Sequence, residues 1–203
     1  MIAIIDYNMG NVRSVAKAFK KLNADFIISN SPQDIKKATH LVLPGVGAFG
    51  DGMANLKKLK LIELLEEEAL KKKKPFLGIC IGMQLLASKG EEHGQHYGLG
   101  WIKGTVRRFV VDEKRYKVPH IGWNNITIRT QKPLFSDIPD ASDFYFVHSF
   151  HLVPEDQRVI AATCDYGETF VAAIKKDNIF GVQFHPEKSQ TYGIKVIENF
   201  IHA

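Results

Sequence analysis

With only two cysteines among 203 residues, Cys80 and Cys164, the chain has no disulfide framework to hold it together. No apolar run approaches the ~20 residues needed to span a bilayer. The opening segment Met1-Ile2-Ala3-Ile4-Ile5-Asp6 is too short for a secretory leader and reads as a buried first strand. A cytoplasmic location is therefore the expectation. Repeats, low-complexity tracts and linkers are absent, and the length suffices for one well-buried core, so a single domain over residues 1–203 is predicted. Neither sign of charge dominates: 27 basic against 22 acidic residues leave +5. The densest basic cluster, Lys71-Lys72-Lys73-Lys74, closes a helical pattern, where cations complement the negative end of the helix. It reads as a solvated helix end, and nothing else resembles a nucleic-acid module. His148 and His151 lack the partners of a metal site, so neither metal nor cofactor is expected.

What is present is an alternation of strand and helix. Ile2-Ala3-Ile4-Ile5 is a continuous apolar run, as in a strand covered on both faces. Val12, Val15, Ala16, Phe19 and Leu22 follow at helical spacing. Phe26-Ile27-Ile28 and Leu41-Val42-Leu43 are further strands, and Ser31-Pro32 caps and opens a short helix between them. A long helix is predicted over 51–72, then the strand that reaches Leu77. Strands joined through helices demand a parallel sheet with right-handed crossovers. From about Gly98 the pattern shortens to strands near 105–111, 124–128, 144–147, 159–164, 170–174 and 179–184. These should add antiparallel strands to the sheet and a small outlying one. A closing helix is expected over 191–201. The fold class is α/β: three layers with a mostly parallel sheet, flavodoxin-like, extended by antiparallel strands in the C-terminal half.

The chemistry centres on Gly78-Ile79-Cys80-Ile81-Gly82-Met83-Gln84. A cysteine between close glycines, where a strand meets a helix, reads as a nucleophile elbow: the glycines admit a turn that side chains would block. The helix N-terminus behind Cys80 should favour thiolate over thiol. Cys164 lies in the apolar run Val159-Ile160-Ala161-Ala162-Thr163-Cys164 and reads as an inert core thiol. Far downstream, Phe184-His185-Pro186-Glu187 offers a base and a carboxylate that can fix its tautomer. Alone, a histidine at a strand end is usually structural. Paired with the elbow, it completes a Cys80–His185–Glu187 triad for acyl transfer through a thioester. Pro44-Gly45-Val46-Gly47 is the candidate oxyanion loop, with a second donor from the backbone of Ile81. Tyr145-Phe146-Val147-His148 alternates like a half-buried strand, and its histidine reads as structural.

These motifs together resemble the class I glutamine amidotransferases of the triad type, over nearly the whole chain. More narrowly, Pro44-Gly45-Val46-Gly47-Ala48-Phe49, Pro119-His120-Ile121-Gly122-Trp123-Asn124, Tyr145-Phe146-Val147-His148 and Gln183-Phe184-His185-Pro186-Glu187-Lys188-Ser189 are similar to glutaminase subunits of imidazole glycerol phosphate synthases. The resemblance implies hydrolysis of glutamine to glutamate and ammonia. It also implies a separate barrel-shaped synthase subunit, bound as a heterodimer, that consumes the ammonia in histidine biosynthesis. It carries Cys80, His185 and Glu187 to the triad, Gly47 and Ile81 to the oxyanion hole, and Gln84 with the backbone of Ser149 and Phe150 to glutamine binding. Asn11, Trp123, Tyr145 and Lys188 match positions that face the partner. Two departures are small: Asn8 stands where glycine is usual but tolerates a left-handed backbone, and Ile81 replaces leucine without loss of its N–H.

Three alternatives stay open at this stage. A paralogous set of such glutaminases feeds N-acetyl-sugar amidotransferases and would suit several of the same stretches. A non-catalytic regulatory partner would keep the fold, and a thiol protease or γ-glutamyl hydrolase would share it. Because Gly45 and Gly47 leave the oxyanion loop free to change peptide orientation, the chain alone is expected to turn over glutamine poorly until a partner reshapes it.

Overall fold

The computed structural model describes residues 1–203. Its first half is β1 (Ile2–Ile5), α1 (Val12–Lys21), β2 (Phe26–Ser29), α2 (Pro32–Lys37), β3 (His40–Leu43), α3 (Phe49–Lys58), α4 (Ile62–Leu65), β4 (Phe76–Ile79) and α5 (Ile81–Gln84). The second half is β5 (Ala87–Gly90), β6 (His96–Tyr97), β7 (Ile102–Arg108), β8 (His120–Asn125), β9 (Thr127–Ile128), β10 (Asp143–His148), β11 (Phe150–Pro154), β12 (Ile160–Asp165), β13 (Thr169–Lys176), β14 (Ile179–Val182) and α6 (Gln190–Ile201). Eight strands form the central sheet in the order β2-β1-β3-β4-β14-β13-β12-β9. The pairs from β2 to β14 are parallel. Those from β14 to β9 are antiparallel.

The continuous apolar strands follow from this burial. Successive side chains leave a strand on opposite faces. Ile2 and Ile4 join a core with Phe19 and Phe200, while Ala3 and Ile5 join a second core with Leu41, Leu43 and Leu56. Helices cover both faces, so neither set of side chains meets water. The sheet is parallel with an antiparallel extension, and it is accompanied by two small sheets, β11-β7-β5-β6 and β10-β8, where one was expected.

Four expectations need correction. The predicted 51–72 helix is broken: Lys60 takes φ 54°, and Leu61 N–H closes back on Leu56 O at 2.9 Å. In an unbroken helix the five-residue step from Leu56 to Leu61 would turn the second side chain roughly 140° off the first face. The break lets Leu56, Leu61 and Leu65 all reach the core. A π-helical turn over Glu66–Lys71 then follows α4. Second, α5 is a single turn, after which Ala87–Gly90 pairs as a strand, so little helix dipole stands behind Cys80. Third, the basic cluster is not simply solvated. Glu68 is fully buried, and Lys72 and Lys74 reach it at 2.8 and 2.6 Å. Lys74 Nζ also donates to the carbonyls of Ile35 and Lys36. Ser31 does sit at the start of α2, but its hydroxyl donates to Gln33 Oε1 and caps no amide.

Burial works against the Glu68 carboxylate, yet the two lysine contacts outweigh it and hold its pKa below the ordinary glutamate value. A depressed carboxylate stabilises the fold above its unfolded pKa and loses that contribution as pH falls through the folded one. Glu68→Gln should therefore cost about 3 kcal/mol near neutrality, because it strands Lys74 without its counter-ion. The deficit against the parent chain should shrink as pH falls below the glutamate range. Urea unfolding at a series of pH values measures both.

Candidate active site

The elbow is fixed by close backbone packing. β4 lies between β3 and β14, with Gly78 in register with Leu43 on one side and Gly181 on the other. Cys80 N–H donates to Val182 O at 2.8 Å, and the backbone then turns to φ 54°, ψ −111°. That is a left-handed conformation rarely held by a residue with a side chain. A Cβ on Gly82 would lie 1.8 Å from Leu43 O, and one on Gly78 would lie 2.6 Å from Gly82 O. Only glycine fits at either place. The turn sets Cys80 on the wall of a cavity of about 390 Å³.

His185 arrives from the adjoining strand. Its N–H donates to Tyr145 O at 2.9 Å, and its carbonyl accepts from Ser189 Oγ at 2.7 Å. Ser189 Oγ in turn accepts Tyr145 N–H at 2.9 Å, so the serine of the Gln183–Ser189 motif rivets the strand end to β10. Pro186 stops the strand and opens a short 3₁₀ turn that carries Glu187 back to the imidazole. His185 Nδ1 lies 2.8 Å from Glu187 Oε1, with both side chains fully buried. This leaves Nε2 as the working nitrogen, buried and without a protein hydrogen bond. Burial lowers the affinity of His185 for a proton. The nearby Cys80 sulfur and the Glu187 carboxylate outweigh it and raise the pKa to about 9. Burial likewise opposes the Glu187 carboxylate, but the His185 contact leads the causes that hold its pKa below the ordinary value.

Asn11 was expected on the partner-facing surface. Its amide turns inward: Nδ2 donates to Glu187 Oε1 at 2.8 Å and lies 3.4 Å from His185 Nδ1. A left-handed backbone at the start of α1, φ 64°, aims it there, and Asn8 shares that conformation. The other three residues of that group cluster together. Lys188 Nζ sits 5.6 Å over the Tyr145 ring, and Trp123 meets Tyr145 edge-on at 6.0 Å. Trp123 and its neighbour Ile121 are 47% and 60% exposed, which makes this strand face apolar and open.

The cavity brings Gly47, Ile81, Gln84, Ser149 and Phe150 around Cys80. Gln84 Nε2 spends its two hydrogens on Phe150 O and Gln183 Oε1, so only its carbonyl oxygen is left for a ligand. Phe150 O also takes a bond from His148 Nδ1 at 2.9 Å, and Ser149 O accepts Phe109 N–H. The N–H groups and the Ser149 hydroxyl of this segment are the donors it can offer a ligand carboxylate. Glu92 lines the same cavity while accepting Phe49 N–H at 2.8 Å, and its carboxylate is of the chemistry that an ammonium group would require. Nothing in the sequence marked it: an acidic pair beside glycines looks like any exposed loop.

At the candidate oxyanion position only one expected backbone donor is free. Ile81 N–H opens α5, and no side chain caps that helix. Gly47 has φ 121°, open only to glycine, whereas Val46 N–H is turned away and bonded to Met9 O at 2.9 Å. Cys164 is an inert strand thiol, buried, with burial raising its pKa to about 12.

Comparison with known proteins agrees with this chemistry. The family described as Glutamine amidotransferase class-I matches residues 3–203. The Campylobacter jejuni (strain RM1221) protein named imidazole glycerol phosphate synthase subunit HisH 1 is 52% identical over 201 residues, 99% of both chains. Subunit HisH 2 of Methanococcus maripaludis is 48% identical, covering 99% of this chain and 98% of that one. Subunit HisH of Aquifex aeolicus is 46% identical, covering 97% and 94%. Among solved structures, a glutamine amidotransferase superposes with TM-score 0.77 at 14% identity, covering 100% of this chain and 98% of that one. PurLQS from Thermotoga maritima superposes with 0.74 at 18%, covering 99% and 97%; at these identities both speak to the fold alone.

A histidine pKa raised on folding adds stability that is complete below its unfolded value and is lost as pH rises through the folded one. For His185 that window runs from 6.5 to about 9. Imidazole NMR of His185 should thus show a titration midpoint near 9 in the parent chain. In Glu187→Gln the midpoint should move down toward the ordinary histidine value.

Proposed function

Since the chain belongs to the class I glutamine amidotransferase family, we propose that it is the glutaminase subunit of an imidazole glycerol phosphate synthase, a single domain that releases ammonia for histidine biosynthesis. The observation that carries this reading is convergence. Cys80 lines a cavity whose other groups suit the two charged ends of an amino acid, and His185, held by Glu187 at 2.8 Å on the neighbouring strand end, is close enough to feel the Cys80 sulfur.

Glutamine enters with its ammonium group toward Glu92 and Gln84 Oε1, and its carboxylate toward the 149–150 segment. Cys80 Sγ, as thiolate beside the His185 imidazolium, adds to the side-chain amide carbon. The carbonyl π pair moves onto oxygen, where the N–H groups of Ile81 and the Gly47 loop receive it. His185 Nε2 gives its proton to the amide nitrogen, the C–N bond breaks, and ammonia leaves a thioester. Water then adds to the thioester, passes a proton to His185, and releases glutamate and the thiolate. Glu187, bonded to Nδ1 and held by Asn11, keeps Nε2 aimed at the reaction. No metal or cofactor takes part.

Ammonia freed into water would be protonated and lost, so the reading includes a heterodimer with a barrel-shaped synthase subunit. The exposed Ile121–Trp123 strand face, with Tyr145 and Lys188, is the docking surface we assign to it. The position of Val46 N–H on Met9 O supports the regulation that belongs to this reading. While that bond persists, one donor is kept from the oxyanion, which slows hydrolysis by roughly 10²–10³-fold. Two of the three relatives above have names that bear a copy number, and this favours one alternative: a duplicated glutaminase whose ammonia goes to an N-acetyl-sugar amidotransferase.

Cys80→Ala should lower glutamine hydrolysis by more than about 10⁴-fold while synthesis from added ammonium salts persists in the assembled complex. Full glutaminase activity in that variant would refute the nucleophile. The parent chain alone should hydrolyse glutamine slowly and speed up when the partner with its acceptor binds. Assaying which acceptor, the imidazole precursor or the sugar, stimulates ammonia release separates the two pathways. High activity of the lone chain would overturn the loop regulation.

A further inference from the structure

Gln183 is wholly buried, and its side chain lies between Gln84 and the Cys80 sulfur. Its Oε1 accepts Gln84 Nε2 at 3.0 Å, and its Nε2 points a hydrogen at Cys80 Sγ across 3.7 Å. Which end of an amide faces which neighbour is decided by the surrounding bonds. Here they leave one answer. His148 lies buried, and burial foremost keeps it neutral, with its pKa near 3. Its Nδ1 faces the Phe150 carbonyl, which can only accept, so Nδ1 carries the hydrogen and Nε2 receives one from His120 Nδ1 at 3.2 Å. Phe150 O also takes a hydrogen from Gln84, which fixes Gln84 as donor on that side. Its second hydrogen must then meet an acceptor, which is Gln183 Oε1. Reversing Gln183 would set two NH₂ groups against each other and turn an oxygen toward the sulfur.

We infer that Gln183 is a further positioning residue of the thiolate: an amide N–H, oriented by Gln84, that donates to Cys80 Sγ on the side the imidazole leaves open. The inference rests on Cys80 being the nucleophile of the proposed function. Gln183 and His185 both lie just past the end of β14, which sets the amide against the sulfur and the imidazole close by. The amide of Gln183 is the side-chain donor that reaches the sulfur in this structure, while His185 Nε2 has no hydrogen bond. With only one turn of helix behind Cys80, local donors of this kind take the role that a helix dipole was expected to fill. A hydrogen bond to a charged acceptor is stronger than one to a neutral group, so this contact favours the ionised sulfur over the thiol.

The test is the pH profile of iodoacetamide alkylation of Cys80 in the full chain, with Cys164 replaced by Ser in every sample. Gln183→Leu removes the donor, and Gln183→Glu retains the acceptor for Gln84 while placing an oxygen against the sulfur. Both profiles should move to higher pH, by about one unit for a tenfold loss of thiolate at a given pH. In complex with the partner subunit, kcat for glutamine should fall about tenfold, with KM little changed. If Gln183→Leu does not fold, Gln183→Glu decides alone. A folded variant with the parent profile overturns the inference. Labelling of the parent chain by a glutamine-like chloroketone keeps the two readings apart: no label on Cys80 removes the nucleophile itself, whereas normal labelling with an unmoved profile removes only the role of Gln183.

Discussion

The site depends on one steric fact, the absence of a side chain where Gly82 crosses β3. A Cβ there would sit 1.8 Å from the Leu43 carbonyl, closer than any packing adjustment relieves. Because the backbone can pass, the chain after β4 doubles back at Cys80 instead of running on as a strand. Cys80 thereby accepts an unfavourable φ of 54°, held by its N–H on Val182 and by Gly78 lying under Gly82. Strain of this order costs about 1–3 kcal/mol and persists only where surrounding contacts over-determine the geometry. Those contacts come from β3 and β14, the two strands whose ends also deliver the oxyanion loop and His185. One constraint thus sets the nucleophile and its two helpers in register.

Around that turn the polar groups are accounted for almost completely, in a place where water cannot satisfy them. Gln84, Gln183, His148 and His120 form one chain of donors and acceptors ending at the sulfur. Glu187 Oε1 receives Asn11 and faces His185 Nδ1. The exceptions are informative. Tyr7 Oη, His185 Nε2 and Glu187 Oε2 are buried without partners. An unpaired buried Nε2 costs free energy that an apolar residue would avoid. It is tolerable where the missing partner arrives with the substrate, since catalytic hydrogen bonds commonly tighten only in the bound complex.

How far the sequence disclosed this depends on the range of the interaction. The elbow was legible because its constraint is local: glycines at 78 and 82 flank one cysteine within a single turn. The alternation of short apolar runs and amphipathic stretches likewise revealed the parallel sheet. The break at Lys60 was not legible, because a lysine in a left-handed conformation carries no residue signature, and only the burial of Leu61 and Leu65 explains it. β5 and β11 were missed since their pairing with β7 joins distant segments. Asn11, Glu92 and Gln183 act across similar distances. Of these, the bond from Asn11 to Glu187 was not foreseen, Glu92 went unmarked, and Gln183 was seen only as part of a motif. Long-range polar pairing leaves little trace in a single sequence, whereas sterically forced glycines leave a strong one.

The same long-range chain bears on how a partner would be felt at the sulfur. β8 carries Ile121 and Trp123 outward and His120 inward, because neighbouring residues of a strand leave on opposite faces. Its partner β10 holds His148 opposite His120 and Tyr145 opposite Trp123. A subunit pressed on the Trp123 face therefore acts on a ribbon whose other face begins the hydrogen-bond chain to Phe150, Gln84 and Gln183. On the far side of the cavity, Val46 is 41% exposed while its N–H is held by Met9. A backbone bond of this kind contributes only ~0.5–1.5 kcal/mol net, so modest contact energy on Val46 is enough to release it. Docking at these two rims would leave β4 and the glycine contacts untouched. Regulation then moves the donors around a nucleophile that stays where the sheet put it.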